Sequence, residues 1–158
     1  MTSHTPKGVP YVTGTDAVAD YPVTSKELAD LIDAAWRVVG AAGEPAFLNN
    51  WQAYNAPTYS IPRFRRDAGG IVRLSGLLAK SAGNWASNEA VFQLPAGYRP
   101  AGVCVFNLRC SSSGGENVGR LDVMTDGMLI IRIGGLQNPA TAAGGSWANL
   151  ETMHFPVA

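Results

Sequence analysis

The side chains able to do acid–base, nucleophilic or metal chemistry are few in this chain: two histidines, two cysteines and twelve acids. A serine–histidine–acid arrangement would have to use His154, with Asp122 or Glu151 as its acid. Glu151 lies three residues before His154, which on a continuous strand puts the two on opposite faces. No Gly-x-Ser-x-Gly elbow is present. A strand histidine bonded to backbone or water is the expectation for His154. Cys104, Cys110 and His154 could supply three metal ligands, but they lack the paired spacing of metal sites. Glu116, Asp122 and Asp126 sit near one turn, whereas a calcium loop supplies several oxygens at close spacing. A glycosidase needs two carboxylates facing one cleft about 5–10 Å apart. Asp16, Asp20, Glu27, Asp30, Asp33, Glu44 and Asp67 lie outside the central β-rich zone or at its edge, leaving Glu89, Glu116, Asp122, Asp126 and Glu151. Gly114-Gly115-Glu116-Asn117-Val118-Gly119 is a flexible loop rather than a phosphate cradle. The expectation is a non-enzyme with no cofactor and no metal.

Binding suits these residues better. Sugar sites pair an aromatic face with amide, carboxylate or arginine hydrogen bonds. Trp85 lies in the polar segment Ser81-Ala82-Gly83-Asn84-Trp85-Ala86-Ser87-Asn88-Glu89, which holds both chemistries. The candidate glycan-binding set is therefore Trp85, Asn84, Asn88 and Glu89. The competing reading folds Trp85 back over the domain or buries it between subunits. On the first reading, Trp85→Ala weakens attachment without lowering the melting temperature. Trp51, Tyr54 and Tyr59 flank the turn Asn55-Ala56-Pro57 and read as core or interface aromatics.

The elements that must position such groups are mostly strands. The N-terminal 23 residues read as an extended arm, since Pro6, Pro10 and Pro22 with Gly8 and Gly14 exclude a long helix. A helix is predicted over 24–40. Thr24-Ser25-Lys26-Glu27 reads as a capping box, Gly40 as the stop, and Leu28, Leu31, Ile32, Ala35 and Val38 as one apolar stripe. So short a helix is marginal alone. Its stripe either packs on its own β-domain or meets identical helices in a symmetric stalk, which makes those five residues candidate oligomerisation contacts.

Strands are predicted over 46–54, 58–65, 70–80, 90–94, 102–110, 118–125, 128–134 and 147–157. Cys104, Phe106, Leu108 and Cys110 share one face, opposite Val103, Val105 and Asn107. That spacing is too long for a disulfide within one strand, so both cysteines read as small buried hydrophobes. Asp126-Gly127 predicts a two-residue type I′ hairpin. The fold class is therefore mainly β: an extended arm and one helix over 1–44, then a jelly-roll-like antiparallel sandwich of about eight strands over 45–158.

Charged residues make up only 15% of the chain and the net charge is zero. Few charges with many Gly, Ser, Asn and Thr suggest surface buried against copies or neighbours. No basic stripe is present to neutralise phosphates, which argues against nucleic acid; Arg63, Arg65 and Arg66 read as a solvated strand edge. No apolar run reaches the ~18 residues of a membrane span, and the polar N-terminus does not look like a signal peptide. The expected site of assembly is a cytoplasm.

Two stretches carry a resemblance: Gly70-Ile71-Val72-Arg73-Leu74-Ser75-Gly76, and the proline-framed Leu94-Pro95-Ala96-Gly97-Tyr98-Arg99-Pro100, followed by Asp126-Gly127 and an aromatic-containing last strand. Over roughly residues 45–158 this series resembles the C-terminal β-domains of tailed-phage fibre and receptor-binding proteins. The region from Pro10 to Asp20 also looks like short minor tail proteins of phages of high-GC actinobacteria. The resemblance implies a virion structural protein, a homotrimer that contacts other tail or capsid proteins and attaches to host-surface carbohydrate. The alternative within the class is a capsid decoration or head-fibre protein.

Overall fold

The structure, a computed structural model, describes residues 3–4, 10–11, 35–81, 85–86, 88–112, 115–132 and 146–157. Its strands are β1 (Ser3–His4), β2 (Pro10–Tyr11), β3 (Arg37–Val38), β4 (Trp51–Ala53), β5 (Arg63–Arg66), β6 (Ile71–Ser75), β7 (Leu77–Lys80), β8 (Glu89–Gln93), β9 (Cys104–Ser112), β10 (Gly115–Val123), β11 (Met128–Arg132), β12 (Trp147–Asn149) and β13 (His154–Pro156). β1 pairs with β2. A seven-stranded sheet has the order β4-β7-β12-β9-β10-β11-β8, and a four-stranded sheet the order β13-β6-β5-β3. Every strand pairing is antiparallel. The mainly β, antiparallel class is as expected.

The larger sheet curls until its outer strands nearly meet. Leu48 N, leading into β4, donates to Val91 O of β8 at 2.8 Å, and Asn49 Nδ2 donates to Ala90 O at 2.9 Å. This nearly closed, barrel-like sheet shares one core with the small sheet. Phe64, Val72, Leu74 and Phe155 from the small sheet pack with Leu78, Leu108, Leu121, Leu129 and Ile131 from the large one. Rings of Phe106 and Phe155 meet across the two sheets at 6.3 Å. The alternation read from the sequence holds: Cys110, Leu108, Leu121, Val123, Leu129 and Ile131 are buried, while Val103 and Val105 are exposed. Neither Cys104 nor Cys110 is part of a disulfide, and burial raises the pKa of both thiols above the usual value.

Two long stretches cross from sheet to sheet side by side. The predicted strand over 70–80 breaks at Gly76 into β6 and β7, and the one over 147–157 breaks at 150–153 into β12 and β13. Leu150 N donates to Gly76 O at 2.9 Å and Leu74 N to Met153 O at 2.9 Å, so the two breaks form a single corner. Gly76 has φ +105°, and a Cβ there would stand 2.3 Å from Ile61 O and 2.6 Å from Pro62 N. No other residue type fits that close approach.

Several expectations are corrected. The helix predicted over 24–40 does not extend through its last residues: Arg37 and Val38 pair with Phe64 and Arg63 as edge strand β3. Val39 is buried in the core and its N donates to Pro62 O at 3.0 Å. A β-branched pair beside the four-stranded sheet buries more as an edge strand than as a fraying helix end. Gly40, at φ +86°, reverses the chain, with its N donating to Pro45 O at 2.8 Å. Leu28, Leu31 and Ile32, with the capping box, lie outside the described residues. Ala35 is exposed in a bend and Val38 is half-buried in β3. The strand predicted over 46–54 shortens to β4 because Asn49 and Asn50 take φ of 50° and 63°. Asp126-Gly127 is not a type I′ turn. Gly127 alone has positive φ there; its N donates to Met124 O at 2.8 Å and Met124 N to Met128 O at 2.9 Å. This is a three-residue loop closed by a left-handed glycine, and Asp67–Gly70 repeats it between β5 and β6, with Gly70 at φ +76°.

The proline-framed segment is a structural corner. Leu94 is fully buried, its N donates to Gly127 O at 2.9 Å, and Arg99 Nε donates to Leu94 O at 3.0 Å. Tyr98 is buried edge-on against Phe64 at 5.1 Å. Arg37 lies over both rings and is held by Glu44 at 2.9 Å.

Candidate functional site

Period-two alternation puts every second residue of the small sheet on its outer face. Arg65 pairs with Arg73 and Arg73 with His154, so these three form one row across β5, β6 and β13. Arg37 opposite Phe64 places the preceding Trp36 beside Arg65 at the β3 edge. Arg63 opposite Ser75 begins the next row. The guanidiniums of Arg63 and Arg65 lie 4.6 and 4.8 Å from the Trp36 ring centroid. Beside them opens a cleft of about 410 Å³, lined by Trp36, Arg63, Arg73, Ser75, Glu151 and His154 among others.

The corner between the sheets supplies the acid of this cleft. Glu151 Oε1 accepts from Ser75 Oγ at 2.9 Å and from Gly76 N at 3.0 Å. Its backbone is fixed by Asn149 Oδ1, which accepts from Glu151 N at 2.6 Å. Thr152 takes φ 72° and its carbonyl lies 3.0 Å from His154 Nδ1. A carbonyl only accepts, so Nδ1 carries the hydrogen. The strand rule that placed Glu151 and His154 on opposite faces fails because the chain turns between them, and both line the same cleft.

Among the described residues no carboxylate lies within ion-pair distance of Arg63 or Arg65, and Arg65 Nε is buried without an acceptor. Arg73 reaches Asp67 only at 3.5 Å. Asp67 is occupied in its own turn: Oδ1 accepts from Ile71 N at 2.9 Å and Gly69 N at 3.1 Å. The bond from Ile71 leads the causes that lower its pKa below the usual carboxylate value. The cleft is therefore rich in donors and short of negative charge.

The glycan set read from the sequence is placed differently. Trp85 is 6% exposed and tilted against Trp51, ring centroids 5.1 Å apart, so its ring packs inward. Among the described residues neither indole N–H has a hydrogen-bond partner. Glu89 accepts from Lys80 Nζ at 2.5 Å and from Ala86 N at 3.2 Å, and Lys80 lies 5.8 Å from the Trp51 ring. Asn88 is exposed, and its Oδ1 accepts from Arg132. Asn84 lies outside the described residues. Of the first-turn aromatics, Trp51 is buried, and Tyr54 and Tyr59 stack at 5.2 Å near the surface.

The outer face of the large sheet carries a second polar cluster. Asp122 is 1% exposed and bonds Arg120 at 2.6 Å and Arg132 at 3.0 Å. Burial raises its pKa, but the two guanidiniums more than offset this and the net shift is downward. Val103, Val105 and Val118 are exposed, and Val105 stands directly opposite Asp122 in the ladder.

No protein-family model matches the chain, and no curated protein matches it. A search of solved structures finds the receptor binding protein of Listeria phage PSA, with a TM-score of 0.56 over 94% of this chain and 89% of that one, at 15% identity. The likeness is one of fold. It spans nearly the whole of both chains.

Sequence reasoning missed the cleft. Its signal was present in the alternation Arg63-x-Arg65 and Arg73-x-Ser75 around the Asp67–Gly70 turn, which folds the four residues onto one face. Trp36 was hidden inside a predicted helix.

Proposed function

We propose that this chain is a structural protein of a tailed-phage particle and that its β-domain takes part in attachment to the host surface, with carbohydrate as the ligand class. The observation that carries the reading is the fold shared with a phage receptor binding protein along nearly the full length of both chains. The sequence pattern around Leu94–Pro100 supports it, and so does the scarcity of charge, which suits a protein packed among others. In this reading the protein acts as a homotrimer, and residues 24–34 supply the contacts through Leu28, Leu31 and Ile32. No catalytic or metal chemistry is needed for that role.

Two measurements test the reading. Quantitative mass spectrometry and immunogold labelling of purified particles give copy number and place: a few copies at the tail tip support attachment, whereas many copies over the head make it a decoration protein. Purified protein added in excess should also block particle adsorption. Leu31→Asp should dissociate the trimer, since burying each Leu or Ile is worth roughly 1.5–3 kcal/mol; a variant of unchanged mass in sedimentation would remove the helix-mediated trimer.

A further inference from the structure

The structure assigns a ligand to the cleft on the small sheet: we infer that it binds an acidic saccharide, through the carboxylate or phosphate of the sugar. The inference rests on the attachment reading and names the chemistry and place of recognition. Arg63 and Arg73 border the cleft, with Arg65 one position along the same face. Arg63 lies over the Trp36 ring at 4.6 Å, a cation–π contact that does not consume its terminal N–H donors and leaves them for an oxyanion. The contact also holds the side chain in place before a ligand arrives, which lowers the ordering penalty of binding. The bond from Arg63 Nε to Ser75 Oγ is long at 3.4 Å and its acceptor is neutral, so an oxyanion is the stronger acceptor.

The rest of the lining suits hydroxyl groups. Glu151 receives both its bonds on Oε1, leaving Oε2 to accept from a hydroxyl. His154 donates through Nδ1 to Thr152, which leaves Nε2 as an acceptor in the neutral ring. A cleft of about 410 Å³ is small-molecule size rather than a groove for a polymer backbone. The chain has no net positive charge to draw nucleic acid. Cations at one side and acceptors at the other describe a ligand that is both charged and polyhydroxylated.

The test titrates full-length protein by calorimetry with an oligogalacturonate, a glycosyl phosphate, an uncharged oligosaccharide of equal length, and inorganic phosphate. The expected result is binding of one or both acidic sugars, weakened about tenfold by either Arg63→Gln or Arg73→Gln. Binding by the unaltered protein should also weaken severalfold when salt rises from about 0.05 to 0.5 M, a readout that does not depend on how the variants fold. Preference between the two acidic probes tells carboxylate from phosphate. Equal binding of the uncharged sugar, inorganic phosphate binding as tightly as the glycosyl phosphate (an adventitious ion only), or no binding of either acidic sugar would overturn the assignment. If the unaltered protein blocks particle adsorption and both variants block it equally, the cleft assignment fails and the attachment reading stands. If the unaltered protein does not block adsorption, the attachment reading fails and the titration alone decides the cleft.

Discussion

Replacing Gly76 by alanine should be far more damaging than replacing Gly97, although both have positive φ. At Gly76 a Cβ would stand 2.3 Å from Ile61 O and 2.4 Å from its carbon, against rigid backbone. At Gly97, φ +86°, nothing lies within 4 Å. Backbone strain from the unfavourable φ costs on the order of 1 kcal/mol in either variant. Gly76→Ala adds an overlap of about 1 Å, since carbon and oxygen rarely approach within ~3.2 Å. The corner cannot give without separating Ile61 from β6 or breaking the bond from Leu150 N to Gly76 O. A clash this deep against rigid backbone falls in the upper half of the roughly 1–3 kcal/mol that overpacking costs, so with the φ strain the total is about 3–4 kcal/mol. For a chain of this length each kcal/mol lowers the melting temperature by about 2–4 °C. The expected drops are about 2–4 °C for Gly97→Ala and about 6–16 °C for Gly76→Ala, read by circular dichroism. Equal drops would refute the argument that close approach, rather than φ alone, fixes this glycine. Because Gly76 N donates to Glu151, Gly76→Ala should also disturb the cleft.

Asp122→Asn should destabilise by about 2 kcal/mol, the worth of charge-assisted bonds discounted for the half-exposed Arg120; urea unfolding at neutral pH gives the value. Asp67 and Asp122 both have pKa values below the ordinary carboxylate range. Their stabilisation is complete above that range and is lost as pH falls through the depressed values, so the urea midpoint should decline below about pH 4, less steeply in Asp122→Asn. Trp85→Ala should cost about 3–5 kcal/mol, as for other buried aromatics; a melting temperature equal to that of the unaltered protein would show that the ring does not pack on Trp51.

The strands and their faces were legible where neighbours along the chain settle the matter. Cys104 to Cys110 and Leu121 to Val123 alternate cleanly because one side of β9 and β10 meets the core. What escaped depends on distant contacts. Trp36, Val38 and Val39 continue a helical pattern, yet the edge of β5 claims them. Trp85 sits among Asn and Ser, which reads as a solvated loop, but Trp51 and the Lys80–Glu89 pair give its ring a buried seat. The cleft draws on segments around 36, 63, 74 and 152, which the pairings of β3, β5, β6 and β13 and the corner at Gly76 bring together.

The near-closure of the seven-stranded sheet bears on how copies tolerate crowding. Open strand edges invite pairing with another chain and hence aggregation. Here Leu48 and Asn49 tie the outer strands of the large sheet together. The small sheet ends on β3, only two residues long, and on β13, which contains Pro156 and is followed by the bridge between Pro100 and Val157. Among the described residues neither sheet offers a long template for a stray strand, so copies can be concentrated side by side without zipping into fibres.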